Sequence, residues 1–139
     1  MKARIFLDTN ILVYAYDRND PKKQEVAQSV LVESLENESG VLSVQVLGEF
    51  FNVVTRHIKK PMTTNEAKDA IELFSNYFVQ EIDLAMVHRS IETHKLYRIS
   101  YWDALIISAA ERAGCQRIFS EDLNANQLYH KISICNPFL

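Results

Sequence analysis

The sequence predicts an α/β protein, a parallel sheet with helices on both faces. Short apolar runs alternate along the whole chain with longer segments of three-four apolar spacing, the pattern of parallel strands joined by crossover helices. Acids also follow two of those runs closely: Asp8 after Ile5-Phe6-Leu7, and Glu121-Asp122 after Arg117-Ile118-Phe119 and one serine. In open α/β sheets ligands bind beyond the carboxyl ends of strands, so acids at two such ends point to a site there as well as to a fold.

The first strand is Ile5-Phe6-Leu7, and apolar character resumes at Ile11 in a first helix. Asp8, Thr9 or Asn10 can cap that helix, because each offers an acceptor to its free N–H groups. Asp20 is placed as an N-cap and Pro21 as the first helical residue of a helix over 22–36, whose Val26, Ala27, Val30, Leu31 and Leu35 form one face. Val41-Leu42 is a second strand, and Ser43 caps a helix over 44–57 that Lys60-Pro61 closes. Thr63 and Glu66 have capping-box spacing and open a helix through Ala67, Ala70, Ile71, Phe74 and Phe78. A third strand follows over 79–84, and an amphipathic helix over 85–97. The next helix starts at Ser100 and ends at Gly114. Arg117-Ile118-Phe119 is the fourth strand and Ile132-Ser133-Ile134-Cys135 the fifth.

With 139 residues, 47% hydrophobic and 24% charged, the chain reads as one globular domain spanning 1–139, without repeats, linkers or low-complexity runs. Polar residues break every long apolar stretch, so neither a leader nor a membrane span is expected and the chain is expected in the cytoplasm. Cys115 and Cys135 lack metal-ligand spacing and read as small hydrophobes at strand edges. The net charge of -3 disfavours passive binding of polyanions, so a nucleic acid would need a local basic patch or a cation.

Asp103 heads an apolar helical stripe of Ile106, Ile107 and Ala110, where a carboxylate is costly unless it is hydrogen-bonded or faces a cation. It can also serve as a capping-box partner of Ser100. Glu49 lies in a narrow polar stripe with Gln45, Asn52 and Arg56 beside a broad apolar face. Asp8, Glu49, Asp103 and one of Glu121 or Asp122 can therefore meet at one sheet edge. Two carboxylates 4 Å apart repel by roughly 4 kcal/mol at an effective dielectric near 20, so such a cluster calls for a cation or a bound proton. An all-oxygen set without His or Cys suits Mg²⁺ or Mn²⁺, which can activate water for phosphodiester hydrolysis. Nucleophilic catalysis has no comparable support: the chain has no Gly-x-Ser-x-Gly, and His57, His88, His94 and His130 have no evident nucleophile beside them.

Leu7-Asp8-Thr9-Asn10, Glu49-Phe50, Tyr101-Trp102-Asp103-Ala104-Leu105-Ile106, Ser120-Glu121-Asp122-Leu123 and the terminal Asn136-Pro137-Phe138, in this order and spacing, resemble PIN-domain ribonucleases, and among them the single-domain VapC-type toxins of toxin-antitoxin pairs. The resemblance implies a PIN-like three-layer sandwich with a parallel sheet ordered 3-2-1-4-5 and a Mg²⁺- or Mn²⁺-dependent endoribonuclease. Asp8, Glu49, Asp103 and Asp122 match its catalytic and metal-binding acids, with Thr9, Asn10, Ser120 and Glu121 supporting them. It also implies a homodimer and a small antitoxin partner. Relatives often carry Gly where this chain has Asn126, a residue that tolerates left-handed geometry; the choice of Asp122 over Glu121 depends on that loop. For RNA contact the chain offers Asn52, Arg56, Lys59 and Lys60, then Arg89 and Arg98. Two other functions are weighed: a PIN-type nuclease of RNA processing without a toxin role, and a non-catalytic acidic-pocket binding or signalling module. A phospho-accepting receiver wants adjacent acids after the first strand, where here Thr9 and Asn10 follow Asp8.

Overall fold

The computed structural model describes residues 3–139. β1 (Arg4–Leu7) lies inside a six-stranded sheet, between β2 (Gly40–Ser43) and β4 (Cys115–Phe119). β3 (Phe78–Gln80) extends the sheet beyond β2, and β6 (Ile132–Cys135) extends it beyond β4. These five strands pair in parallel, in the order the family resemblance implies. A sixth strand corrects the expected 3-2-1-4-5 order to 3-2-1-4-6-5: β5 (Leu128–Tyr129) pairs antiparallel with β6 at the edge. It joins β6 through His130 (φ 49) and Lys131 (φ 72), a left-handed two-residue turn made without the Asn-Gly signature that announces most such hairpins.

The helices are α1 (Thr9–Tyr16), α2 (Pro21–Glu36), α3 (Val44–Arg56), α4 (Thr64–Phe74), α5 (Leu84–Tyr97) and α6 (Tyr101–Arg112). α1 packs on α2 and α3, α3 packs on α4, and α5 pairs with α6. Their caps follow the sequence closely. Asp20 accepts from Lys23 N with Pro21 at the first helical position, and Thr63 and Glu66 close a reciprocal capping box. Gly114 ends α6 with φ +74, a conformation that favours glycine. Residues 104–110 are all buried, so α6 is a core helix on every side there rather than on one stripe.

Two boundaries move. α4 stops at Phe74 instead of running to Phe78, which begins β3; the four-residue recurrence of phenylalanine spans a helix end and a strand start. β3 is correspondingly early and short, because Asp83 caps α5 by accepting from Met86 N at 3.0 Å. The core centres on Phe6, Leu7, Val41, Leu42, Phe50, Ile107 and Ile118, all fully buried. Cys115 is buried and Cys135 half-buried, both as free thiols in strands. No helix among the described residues is long and apolar enough to cross a membrane.

Candidate active site

Because β1 and β4 are neighbours with Leu7 opposite Phe119, the residues that follow each strand emerge side by side. Asp8 N donates to Phe119 O at 3.0 Å, which extends the pairing by one step and sets Asp8 against Ser120. Asp8 is the N-cap of α1, accepting from Thr9 N at 2.7 Å through Oδ1. Its other oxygen, Oδ2, accepts from Ser120 Oγ at 2.7 Å. Capping and site-forming roles thus fall on one side chain.

Asp8 is only 6% exposed. Burial raises its carboxyl from 3.8 to about 6, against the lowering effect of the bonds from Ser120 and Thr9, and the charges of Asp122 and Glu49 push it further up. Both hydrogen-bond donors are neutral, and among the described residues no Lys or Arg forms an ion pair with Asp8, Glu49, Asp103 or Asp122.

α3 supplies Glu49, half-buried, which accepts from Thr9 Oγ1 at 2.6 Å and more weakly from Gln45 Nε2 at 3.4 Å. Gln45 Nε2 also donates to Trp102 O at 3.1 Å, tying α3 to the first turn of α6. Its Oε1 is buried without a donor. Asp103 lies half-buried in that turn, its N–H donating to the N-cap Ser100 Oγ at 3.1 Å. Burial raises the Asp103 carboxyl, the Ser100 hydroxyl opposes this, and the charge of Asp122 adds to it.

The loop after β4 separates its two acids. Glu121 is held by Lys23 of α2 in an ion pair and by Tyr14 Oη of α1 at 2.7 Å, while Lys23 also lies 4.7 Å from the Tyr14 ring centroid. Asp122 is exposed and accepts from Asn10 Nδ2 at 3.0 Å. Asn10 Oδ1 in turn accepts from Glu121 N at 3.2 Å. Ser120 Oγ anchors the same loop, accepting from Asp122 N at 3.1 Å and Leu123 N at 3.2 Å. Asn126 takes φ 66, the left-handed geometry its amide side chain tolerates.

All four expected acids therefore face one region. The charge coupling runs from Asp122 to both Asp8 and Asp103, and from Glu49 to Asp8. Thr9, Asn10 and Ser120 support these carboxylates directly, whereas Glu121 is committed to Lys23 and Tyr14. The sequence alone did not identify Tyr14 or Lys23 as part of this arrangement, and nothing in their spacing marks them. Gln45 was legible only as the residue one turn before Glu49. An all-oxygen set that holds a buried carboxylate without a positive partner fits a hard divalent cation. Among the described residues no three acidic, His or Cys side chains gather into a ready cage, so an ion here would keep water ligands, as Mg²⁺ usually does.

The basic residues do not converge on the acids. Asn52, Arg56 and Lys59 are exposed on or just after α3. Lys60 instead lines a groove of about 850 Å³ between α2 and α4 that contains none of the four acids. Arg89 is occupied by Glu111 through two bonds of 2.9 Å. Arg98 is exposed at the left-handed cap of α5.

The fold is shared with solved toxin structures. The *Mycobacterium tuberculosis* toxin VapC20, described as cleaving the sarcin-ricin loop, superposes with a TM-score of 0.66 at 20% identity, over 85% of this chain and 89% of that one. A DNA-bound VapBC from *Salmonella typhimurium* gives 0.70 at 15% identity, over 98% and 99%. VapBC2 from *Rickettsia felis*, bound to a fragment of its promoter, gives 0.65 at 19% identity, over 95% and 97%. No curated protein matches the chain in sequence. The PIN domain family, by contrast, matches residues 5–131, a span that runs from β1 through the loop of Asp122 to the turn before β6, and the chain belongs to that family.

Proposed function

We propose that the protein is a divalent-metal-dependent endoribonuclease, the toxin of a toxin-antitoxin pair. The observation that carries this reading is Asp8: a buried carboxylate raised to about 6, faced by Asp122 and Glu49 and, among the described residues, by no Lys or Arg in an ion pair. Membership of the PIN family and the shared fold with VapC toxins support it. Asp8, Glu49, Asp103 and Asp122 would hold Mg²⁺ or Mn²⁺, partly through water. Such an ion, when bound, activates water and offsets charge on the phosphodiester oxygens. Thr9, Asn10 and Ser120 orient the carboxylates, and ionised Asp8 is the form that can do this work. The toxin role brings with it a small antitoxin and a homodimer. The groove between α2 and α4, rimmed by exposed Val32, Leu35 and Leu73, offers an apolar seat for a partner segment.

The purified chain should cleave single-stranded RNA with Mg²⁺ or Mn²⁺ and stop on addition of chelator. Asp122→Asn should lower the rate by a factor on the order of 100 or more. Glu121→Gln should lower it by less than about tenfold, because that carboxylate acts at one remove through Lys23 and the loop. Equal losses in the two variants would show that the fourth acid is shared, and chelator-resistant cleavage would rule out the metal.

A further inference from the structure

Trp102 is the only tryptophan of the chain and is 62% exposed, immediately before Asp103 in the first turn of α6. Its position is fixed from two sides. The carbonyl accepts from Gln45 Nε2, the same nitrogen that reaches Glu49. The indole packs edge-to-face on Tyr101, with centroids 5.0 Å apart and planes at 78°, and Tyr101 itself packs on the core. The exposed indole thus belongs to the residue that precedes Asp103 and whose backbone carbonyl shares Gln45 with Glu49.

Those acids set a problem for an RNA ligand. A net charge of -3 and four acids that, among the described residues, form no ion pair with Lys or Arg repel phosphates, and a single hydrated ion offsets this only locally. Binding energy that does not depend on charge is needed near the crevice, and stacking of an unpaired base on an aromatic face supplies it. We propose that Trp102 is the stacking platform for an unpaired nucleobase next to the scissile phosphate, so that the substrate is an RNA segment with splayed bases rather than a duplex. This rests on the nuclease reading above and adds to it a substrate-binding residue and a substrate form.

The single tryptophan makes the test direct. The full-length Asp8→Asn protein, held in chelator, is titrated with a ten-nucleotide single-stranded RNA and with the same sequence as a duplex, while tryptophan emission is followed. Single-stranded RNA should quench the emission saturably and the duplex should do so less. Adding Trp102→Ala should weaken single-strand affinity, read by anisotropy of labelled RNA, by about tenfold or more, and Trp102→Phe should restore most of it. In the otherwise unaltered enzyme, Trp102→Ala should raise KM with little change in kcat. If RNA binds equally well with and without the indole, or if the duplex binds as tightly as the single strand, stacking is overturned while the nuclease reading stands. If emission follows protein concentration and not RNA, the ring is covered by a second copy of the chain, and stacking is again overturned. Absence of both RNA binding and metal-dependent cleavage would instead overturn the nuclease reading, and the platform with it.

Discussion

Asp8→Asn is expected to lower RNA cleavage by a factor on the order of 1,000 while removing a pH-dependent weakness of the fold. The loss of activity follows from the loss of the most buried member of the acidic set, which joins Thr9 of α1 to Ser120 after β4. The stability effect follows from linkage. The carboxyl titrates near 3.8 when unfolded and near 6 when folded, so between those values the folded state binds more protons. Stability therefore falls as pH rises through this window, by about 3 kcal/mol once the folded carboxyl has ionised. Asn stays neutral and avoids that loss, although its amide cannot serve both Thr9 N–H and Ser120 O–H as well as a carboxylate does. Thermal melts between pH 4 and pH 7.5, without metal, should show the decline in the wild-type chain and a flatter profile in the variant. Matching profiles would place the titration elsewhere.

Ser120→Ala is expected to cost about 2–3 kcal/mol of stability and to lower cleavage by roughly 10–100-fold. Ser120 is fully buried, and its hydroxyl makes three bonds: one donated to Asp8 and two accepted from the N–H groups of Asp122 and Leu123. Alanine leaves both N–H groups without this acceptor and removes a donor to a buried carboxylate, losses that burial makes expensive. Because the Ser120 bond lowers the Asp8 carboxyl, its removal should raise that carboxyl above 6, and the acidic limb of the pH–rate profile should move upward. Ser120→Cys keeps a weaker donor on a somewhat larger side chain and should fall between the wild type and Ser120→Ala. A lower rate with an unmoved acidic limb would mean that Ser120 merely holds the loop.

The sequence made the acids legible wherever local pattern exposed a conflict. Asp8 ends an apolar run and Asp103 heads an apolar stripe, and both conflicts persist in the folded chain as carboxyl groups raised by burial. What local pattern could not carry is contact across the fold. Glu121 and Asp122 look alike in sequence, and the bond from Tyr14 and the ion pair with Lys23, 98 residues away, separate them. Nor does local pattern show that Asp122 is the acid whose charge reaches both Asp8 and Asp103. β5 escaped notice because it has two residues and turns through His130-Lys131, neither of which favours a left-handed backbone strongly enough to announce itself. Strand order came from the resemblance to PIN domains, and the acids at two strand ends agree with it, since a shared crevice needs β1 and β4 to be neighbours.

On the proposed function the buried carboxylate of Asp8 takes a divalent cation, and metal-dependent melting at pH 7.5 tests this without reference to any substrate. Mg²⁺ or Mn²⁺ raised stepwise into the millimolar range should increase the melting temperature of the wild-type chain, since a ligand at 100 times its Kd adds about 2.7 kcal/mol. The Asp8→Asn chain should not respond. An equal rise in both proteins, or none in the wild type, would contradict the claim.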